Sequence, residues 1–160
     1  MQFVFEDCCM LKVKDVMVTD LITIKPDISV RKAVKVMNDF EIGCLIVVED
    51  GEAVGIVTER DILKRVVVEG RNPEKTLVKD VMSKPLIVTS PETSLEEAIE
   101  SMFKHKIKKL PVVEGGKLVG LVTFTDIARI QPVMVKTIRQ LMGKYEVPRR
   151  ISKVIRYYIA

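Results

Sequence analysis

The sequence predicts a mixed α/β (α+β) protein: two copies of one strand–helix–strand–strand–helix unit, followed by a helical C-terminal extension. Three observations predict it. Displaced by 65 positions, residues 13–65 align with 78–130 without a gap, and 23 of the 53 pairs are identical. Within each copy, runs of Val, Ile and Leu alternate with apolar residues at helical spacing. Strong turn pairs, Asp50-Gly51 and Gly115-Gly116, fall at matching places. A repeated unit that cannot bury its own apolar face packs against its copy, so a core shared between the copies is expected.

Each element has a local reason. LITIK (21–25) and LIVT (86–89) are short apolar segments that soon meet a proline, which suits a strand. Ser29 and Ser94 stand where a helix cap belongs; Ser94 with Glu97 forms a capping-box pattern. Ala33, Val34 and Met37 then recur at helical spacing, as do Ala98, Ile99 and Met102. CLIVVEDGEAVGIV (44–57) and LPVVEGGKLVGLV (110–122) read as hairpins, and Thr58 or Thr123 opens a second helix, the first of which stops near Gly70. This divides the chain into an N-terminal segment (1–12), repeat 1 (13–68), a polar linker (69–77), repeat 2 (78–131) and a basic extension (132–160).

Composition narrows the class. Of 160 residues, 48% are apolar and 30% charged, with no Trp, so a real core of Val, Ile, Leu and Met is expected. Residues 1–130 carry a net charge of −2, whereas 131–160 carry +6. The body is near neutral and the end is basic. Cys8, Cys9 and Cys44 have no metal-type spacing and read as free thiols in a reducing compartment. MQFVFEDCCM lacks the basic start and apolar stretch of a signal peptide, and no apolar run approaches the ~20 residues of a membrane span. A cytoplasmic protein with no membrane partner is expected.

The phrases GIVTERD (55–61) and GLVTFTD (120–126) carry the most chemistry. Thr58 and Asp61, or Thr123 and Asp126, have capping-box spacing, which alone justifies both residue types. The same geometry brings a helix start, a hydroxyl and a carboxylate to a sheet rim, where phosphate and vicinal hydroxyls can be bound. Capping does not by itself require the glycine that precedes both strand ends. The two readings are compatible.

The 65-residue repeat resembles a tandem pair of CBS (cystathionine-β-synthase) domains, a Bateman module, over about 13–130. DVM near each start, an apolar segment ending at proline, A-x-x-x-M on the first helix and IKKLPVVEGGKLVGLVTFTD carry the likeness. The resemblance implies halves packed with pseudo-twofold symmetry, and clefts that bind AMP, ADP, ATP or S-adenosylmethionine as regulatory ligands, with no cofactor required. It further implies ribose contacts from Asp61 and Asp126, ribose or phosphate contacts from Thr58 and Thr123, and an adenine pocket lined by Ile22 and Ile87. Residues before the third strand would approach phosphate: Gly43 and Cys44 in one copy, Lys108 and Lys109 in the other. Arg60 and Thr125 lie inside the two phrases as further phosphate partners, Arg as a bidentate donor and Lys as a point charge. Copy one departs from the pattern at Ile46, opposite Pro111, and at Glu59, opposite Phe124. A carboxylate facing the ligand there would weaken nucleotide binding, leaving single-site occupancy open. The family also implies a homodimer and a separate regulated protein.

No catalytic constellation is present. His105 is the single histidine and reads as a solvated helix-end residue; there is no GxxxxGK[ST] or GxGxxG. An enzyme is not expected. In the extension, Met134, Ile138 and Met142 share a helical face suited to packing or dimerisation, while seven basic residues beside Tyr157 and Tyr158 permit nucleic-acid binding. A scaffold acting on nucleic acid or protein through that tail is the alternative function.

Overall fold

The computed structural model describes residues 11–130 and 142–145. These divide into two compact units. One holds Asp20–Ile87 with Gly115–Leu118; the other holds 11–19, Val88–Glu114 and the described residues from 119 onward.

In the first unit, β1 (Thr23–Ile24) runs parallel to β2 (Cys44–Glu49), which pairs antiparallel with β3 (Glu52–Thr58). The hairpin turns on Asp50 (φ 51°) and Gly51 (φ 86°), two left-handed residues that match the twist of the strands. Helix α1 (Val30–Asp39) starts at Ser29, whose Oγ accepts from the Lys32 N–H at 3.4 Å. Helix α2 (Glu59–Ile62) continues as a π-helical stretch, Leu63–Val67, and the chain turns out at Gly70 (φ 63°). The sequence predicts one regular helix here; the wider turn is the difference.

The core of this unit contains Ile24, Val30, Ala33, Met37, Leu45, Val47, Val57 and Val66, together with Val78 and Val81. The last two come from the other copy: they lie on α3 (Val78–Val81), inside its opening VKDVM. Backbone bonds fasten that strap, from Val78 N–H to the Ile28 carbonyl (2.9 Å), from Lys79 to Pro26 (2.9 Å), and between Ser83 and Ile56.

The second unit repeats the arrangement with the roles reversed. It holds a single 3-10 turn (Val13–Asp15), α4 (Leu95–Lys104), most of the hairpin β4 (Lys109–Glu114) and β5 (Lys117–Thr123), and α5 (Phe124–Ile130). Its strap is the VKDVM of copy one: Val13 N–H donates to Thr93 (2.8 Å), Lys14 to Pro91 (3.0 Å), and Val18 pairs with Leu121. Val13 is fully buried beside a core that includes Leu95, Ile99, Met102, Phe103, Leu110 and Ile127. The expected shared core thus takes the form of exchanged straps. The expected strand at 86–89 reduces to one bridge, Thr89 to Val112, because the chain turns at Ser90, whose N–H donates to Thr93 Oγ1 (3.3 Å).

The straps also account for the paired glycines. A Cβ on Gly55 would stand 2.6 Å from Met82 Sδ and 3.2 Å from the Ser83 carbonyl; on Gly120 it would meet Met17 Sδ and the Val18 carbonyl at the same distances. Only glycine lets the DVM methionine lie against the strand. Asp15 and Asp80 secure the same straps, accepting from the Lys12 (2.8 Å) and Leu77 (3.2 Å) N–H groups.

Candidate nucleotide-binding rims

In the first unit the register gathers most of the candidate residues at one end of the sheet. Cys44 pairs with Thr58, and β1 enters parallel to β2 just after Ile22, so the start of β1, the start of β2 and the end of β3 share that rim. Ile22 is half-buried against the core, Cys44 is buried, and Arg60 is exposed. The Glu59 N–H donates to the Gly43 carbonyl (3.3 Å), and the Glu59 carboxylate lies over Gly43, 3.1 Å from where a Cβ would be.

Thr58 and Asp61 form the capping box. Asp61 Oδ2 accepts from Thr58 Oγ1 (2.6 Å) and from the Thr58 N–H (3.0 Å), while the Asp61 N–H donates to Thr58 Oγ1 (3.3 Å). The other carboxylate oxygen is also engaged. Oδ1 accepts from Ser83 Oγ at 3.2 Å and faces Arg65 at 3.5 Å. Arg65 donates onward to Ser83 Oγ (3.2 Å) and to the Val81 carbonyl. Its guanidinium therefore ties the helix start to the strap. Arg65 and Ser83 were not candidates from sequence; the i,i+4 spacing of Asp61 and Arg65 was the available signal.

The second unit builds the same corner with different charges. Thr123 Oγ1 donates to Asp126 Oδ2, and the Asp126 N–H donates back to Thr123 Oγ1 (3.2 Å). The Phe124 N–H donates to the Lys108 carbonyl (2.9 Å), so Lys108 and Lys109 occupy the places of Gly43 and Cys44. Phe124 itself turns inward, buried against Phe103 with ring centroids 6.1 Å apart. Where Glu59 puts a carboxylate on the first rim, the second has an aromatic ring in the core. The positions matching Ser83 and Arg65 are Val18 and Ile130, residue types without a side-chain donor. Lys108, Lys109, Thr125 and Asp126 are half-buried. Ile87 is half-buried too, at the end of the Asp20–Ile87 unit.

Among the described residues no group of three His, Cys, Asp or Glu side chains is placed to hold a metal, and no helix is long and apolar enough to cross a membrane. His105 caps the end of α4, exposed, with Nδ1 2.9 Å from the Ser101 carbonyl. Cys44 is a free, buried thiol; Cys8 and Cys9 lie outside the described residues.

A duplicated hairpin-and-helix unit, each copy closed by the other's strap and opening a Thr–Asp helix start at the sheet rim, defines a tandem α/β repeat. Comparison with known proteins supplies the family. The CBS domain model matches twice, over residues 13–68 and 78–132, and the chain belongs to the CBS domain family. It is 39% identical over 119 residues to the CBS domain-containing protein YhcV of Bacillus subtilis, covering 74% of this chain and 84% of that one. It is 36% identical over 129 residues to an uncharacterized protein, MK0525, of Methanopyrus kandleri, covering 79% of this chain and 66% of that protein. Among solved structures, it is similar to the CBS domain pair of protein MJ0100 in complex with 5-methylthioadenosine and S-adenosyl-L-methionine. There the identity is 29% and the TM-score 0.69, with 76% of this chain and 95% of that one covered.

Proposed function

We propose that this CBS pair is a cytoplasmic regulatory module that binds an adenosine-containing molecule and changes conformation or partner affinity when it does so. The observation that carries the proposal is the repeated rim: a helix start with a Thr hydroxyl and an Asp carboxylate beside the first residues of the hairpin. Such a corner sets a helix start, a hydroxyl and a carboxylate side by side, and the carboxylate can accept from ribose hydroxyls that replace the Thr hydroxyl as its donor. The MJ0100 pair, bound to two adenosine compounds, supports this ligand class.

The two rims suit different ligands. Lys108 and Lys109, with no carboxylate at the Phe124 position, favour a phosphorylated nucleotide such as AMP, ADP or ATP on the second rim. Glu59 over Gly43 disfavours phosphate on the first rim and leaves Arg60 as its offsetting cation; a ligand without phosphate, such as S-adenosylmethionine, fits better there. Ligand binding shifts a conformational equilibrium only through unequal affinity for the two states, so regulation also requires a separate target protein. Within the described part of the extension, Lys144 is engaged with Glu100, so no observation there favours the nucleic-acid reading.

Calorimetric titration of AMP, ADP, ATP and S-adenosylmethionine into wild type, Asp61→Ala and Asp126→Ala tests this. Saturable nucleotide binding lost in Asp126→Ala and retained in Asp61→Ala is expected. Flat titrations of folded, ligand-free wild type would overturn the sensor reading.

A further inference from the structure

Each strap presses a methionine onto a glycine of the strand it covers. Met82 Sδ stands 2.6 Å, and its Cγ 3.1 Å, from where a Cβ on Gly55 would be; Met17 meets Gly120 at the same two distances. The residue after each methionine fastens the strap to that strand. Ser83 exchanges two backbone bonds with Ile56 (2.8 and 3.2 Å), and Val18 exchanges two with Leu121 (both 2.9 Å). Both strap methionines are half-buried, whereas Met37 and Met102 of the first helices are buried, at 5% and 0% exposure. Met17 and Met82 therefore stand between core and solvent, Met82 packed against the buried cluster of its unit. An unbranched side chain is all that the fit over glycine demands. What sulfur adds is chemistry, because a thioether within reach of solvent is oxidisable.

We infer that Met17 and Met82 are sites of reversible oxidation by a hydroperoxide, and that a sulfoxide at either one unseats its strap. The sulfur lone pair attacks the terminal oxygen of the hydroperoxide. An S–O bond forms as the O–O bond breaks; sulfur is oxidised by two electrons and the peroxide is reduced. The hydroxyl proton passes to the departing oxygen, which leaves as water or an alcohol. A dithiol reverses the step: the sulfoxide returns to thioether, the dithiol becomes a disulfide, and the oxygen leaves as water. The consequence follows from the fit. The space over Gly55 already excludes a methyl group, and a sulfoxide oxygen is of similar size. That oxygen is an acceptor, yet the other atom crowding the spot is the Ser83 carbonyl oxygen, also an acceptor; at Gly120 it is the Val18 carbonyl oxygen. The modified side chain keeps its oxygen solvated by lifting off the strand, and the paired residue beside it lifts too. Nothing in this depends on whether the rims bind nucleotide.

The test is treatment of the folded full chain with hydrogen peroxide. Peptide mass spectrometry locates each added oxygen, and hydrogen exchange follows the amides of Val18, Ile56, Ser83 and Leu121. Met17 and Met82 should oxidise roughly tenfold or more faster than Met37 and Met102. Met142, 38% exposed and on neither strap, should oxidise as well and serves as the internal control. Exchange at the four amides should rise roughly tenfold or more in the oxidised chain. Methionine sulfoxide reductases with dithiothreitol should restore it. In Met17→Leu/Met82→Leu, peroxide should leave exchange unchanged while Met142 still oxidises. Replacing every methionine by norleucine, an unbranched isostere, serves if leucine's branch does not fit over glycine. Strap methionines modified no faster than Met37 and Met102 would overturn the inference, as would oxidised straps that exchange as before. So would an equal rise in the leucine or norleucine chain, or a rise that persists after the sulfoxides have been reduced.

Discussion

At the scale of single residues, the two Thr–Asp pairs look alike in sequence but are held differently. Asp61 serves as a helix cap and also as the anchor of Arg65 and Ser83; Asp126 caps Thr123, and the sequence has Val and Ile, which carry no side-chain donor, at the positions matching Ser83 and Arg65. Removing Asp61 therefore strips two roles at once. Asp61→Ala is expected to cost about 1–2 kcal/mol in denaturant unfolding, and Asp126→Ala no more than about 1 kcal/mol. On the second unit's strap, Glu92 receives Lys12 Nζ and Lys14 Nζ, both at 2.6 Å. Their hydrogen bonds, Lys12 first and then Lys14, hold its carboxyl down at about 2, against an ordinary 4.5. A depressed carboxylate stabilises the fold above the ordinary value, and that contribution is lost as pH falls through the folded one. An NMR titration should thus find Glu92 still charged at pH 3 and low salt; Lys12→Ala/Lys14→Ala or high salt should move its midpoint back up. Spacing made the capping residues legible in the sequence. The bonds from Arg65 to Ser83 and Val81 were not, because they depend on a strap 16–18 residues further on.

At the scale of elements, the hairpins, the first helices and their serine caps follow from local rules, and the structure has them where the sequence places them. The π-helical stretch at Leu63–Val67 escaped prediction, since hydrophobic spacing does not distinguish the wider turn from an α-helix. The glycines before the strand ends were puzzling in sequence for a similar reason: their contact is tertiary. Gly55→Ala forces Met82 off the strand and crowds the Ser83 carbonyl. A loss of about 1–3 kcal/mol is expected, as for other overpacked sites, and Gly55→Ala/Met82→Ala should recover part of it. Thermal unfolding of the single and double variants checks this.

At the scale of the whole molecule, repeat boundaries and compact units do not coincide. The alignment places a repeat at 13–65, yet the valines that close its core, Val78 and Val81, belong to the next copy and are fully buried. Burying each such valine is worth about 1.5–3 kcal/mol. A fragment spanning 20–87 should therefore unfold cooperatively, while one spanning 13–68, which keeps a strap it cannot use and lacks the one it needs, should not; urea unfolding followed by circular dichroism distinguishes them. Duplication itself was plain in the sequence, whereas the exchange was not, because identical VKDVM segments give no sign of which body each one joins. A lone ancestral repeat would have needed a second molecule to lend it a strap, and its folding would have risen and fallen with its own concentration. Two copies in one chain make the loan permanent, replacing a bimolecular encounter with a tether of a few residues, Glu69–Thr76.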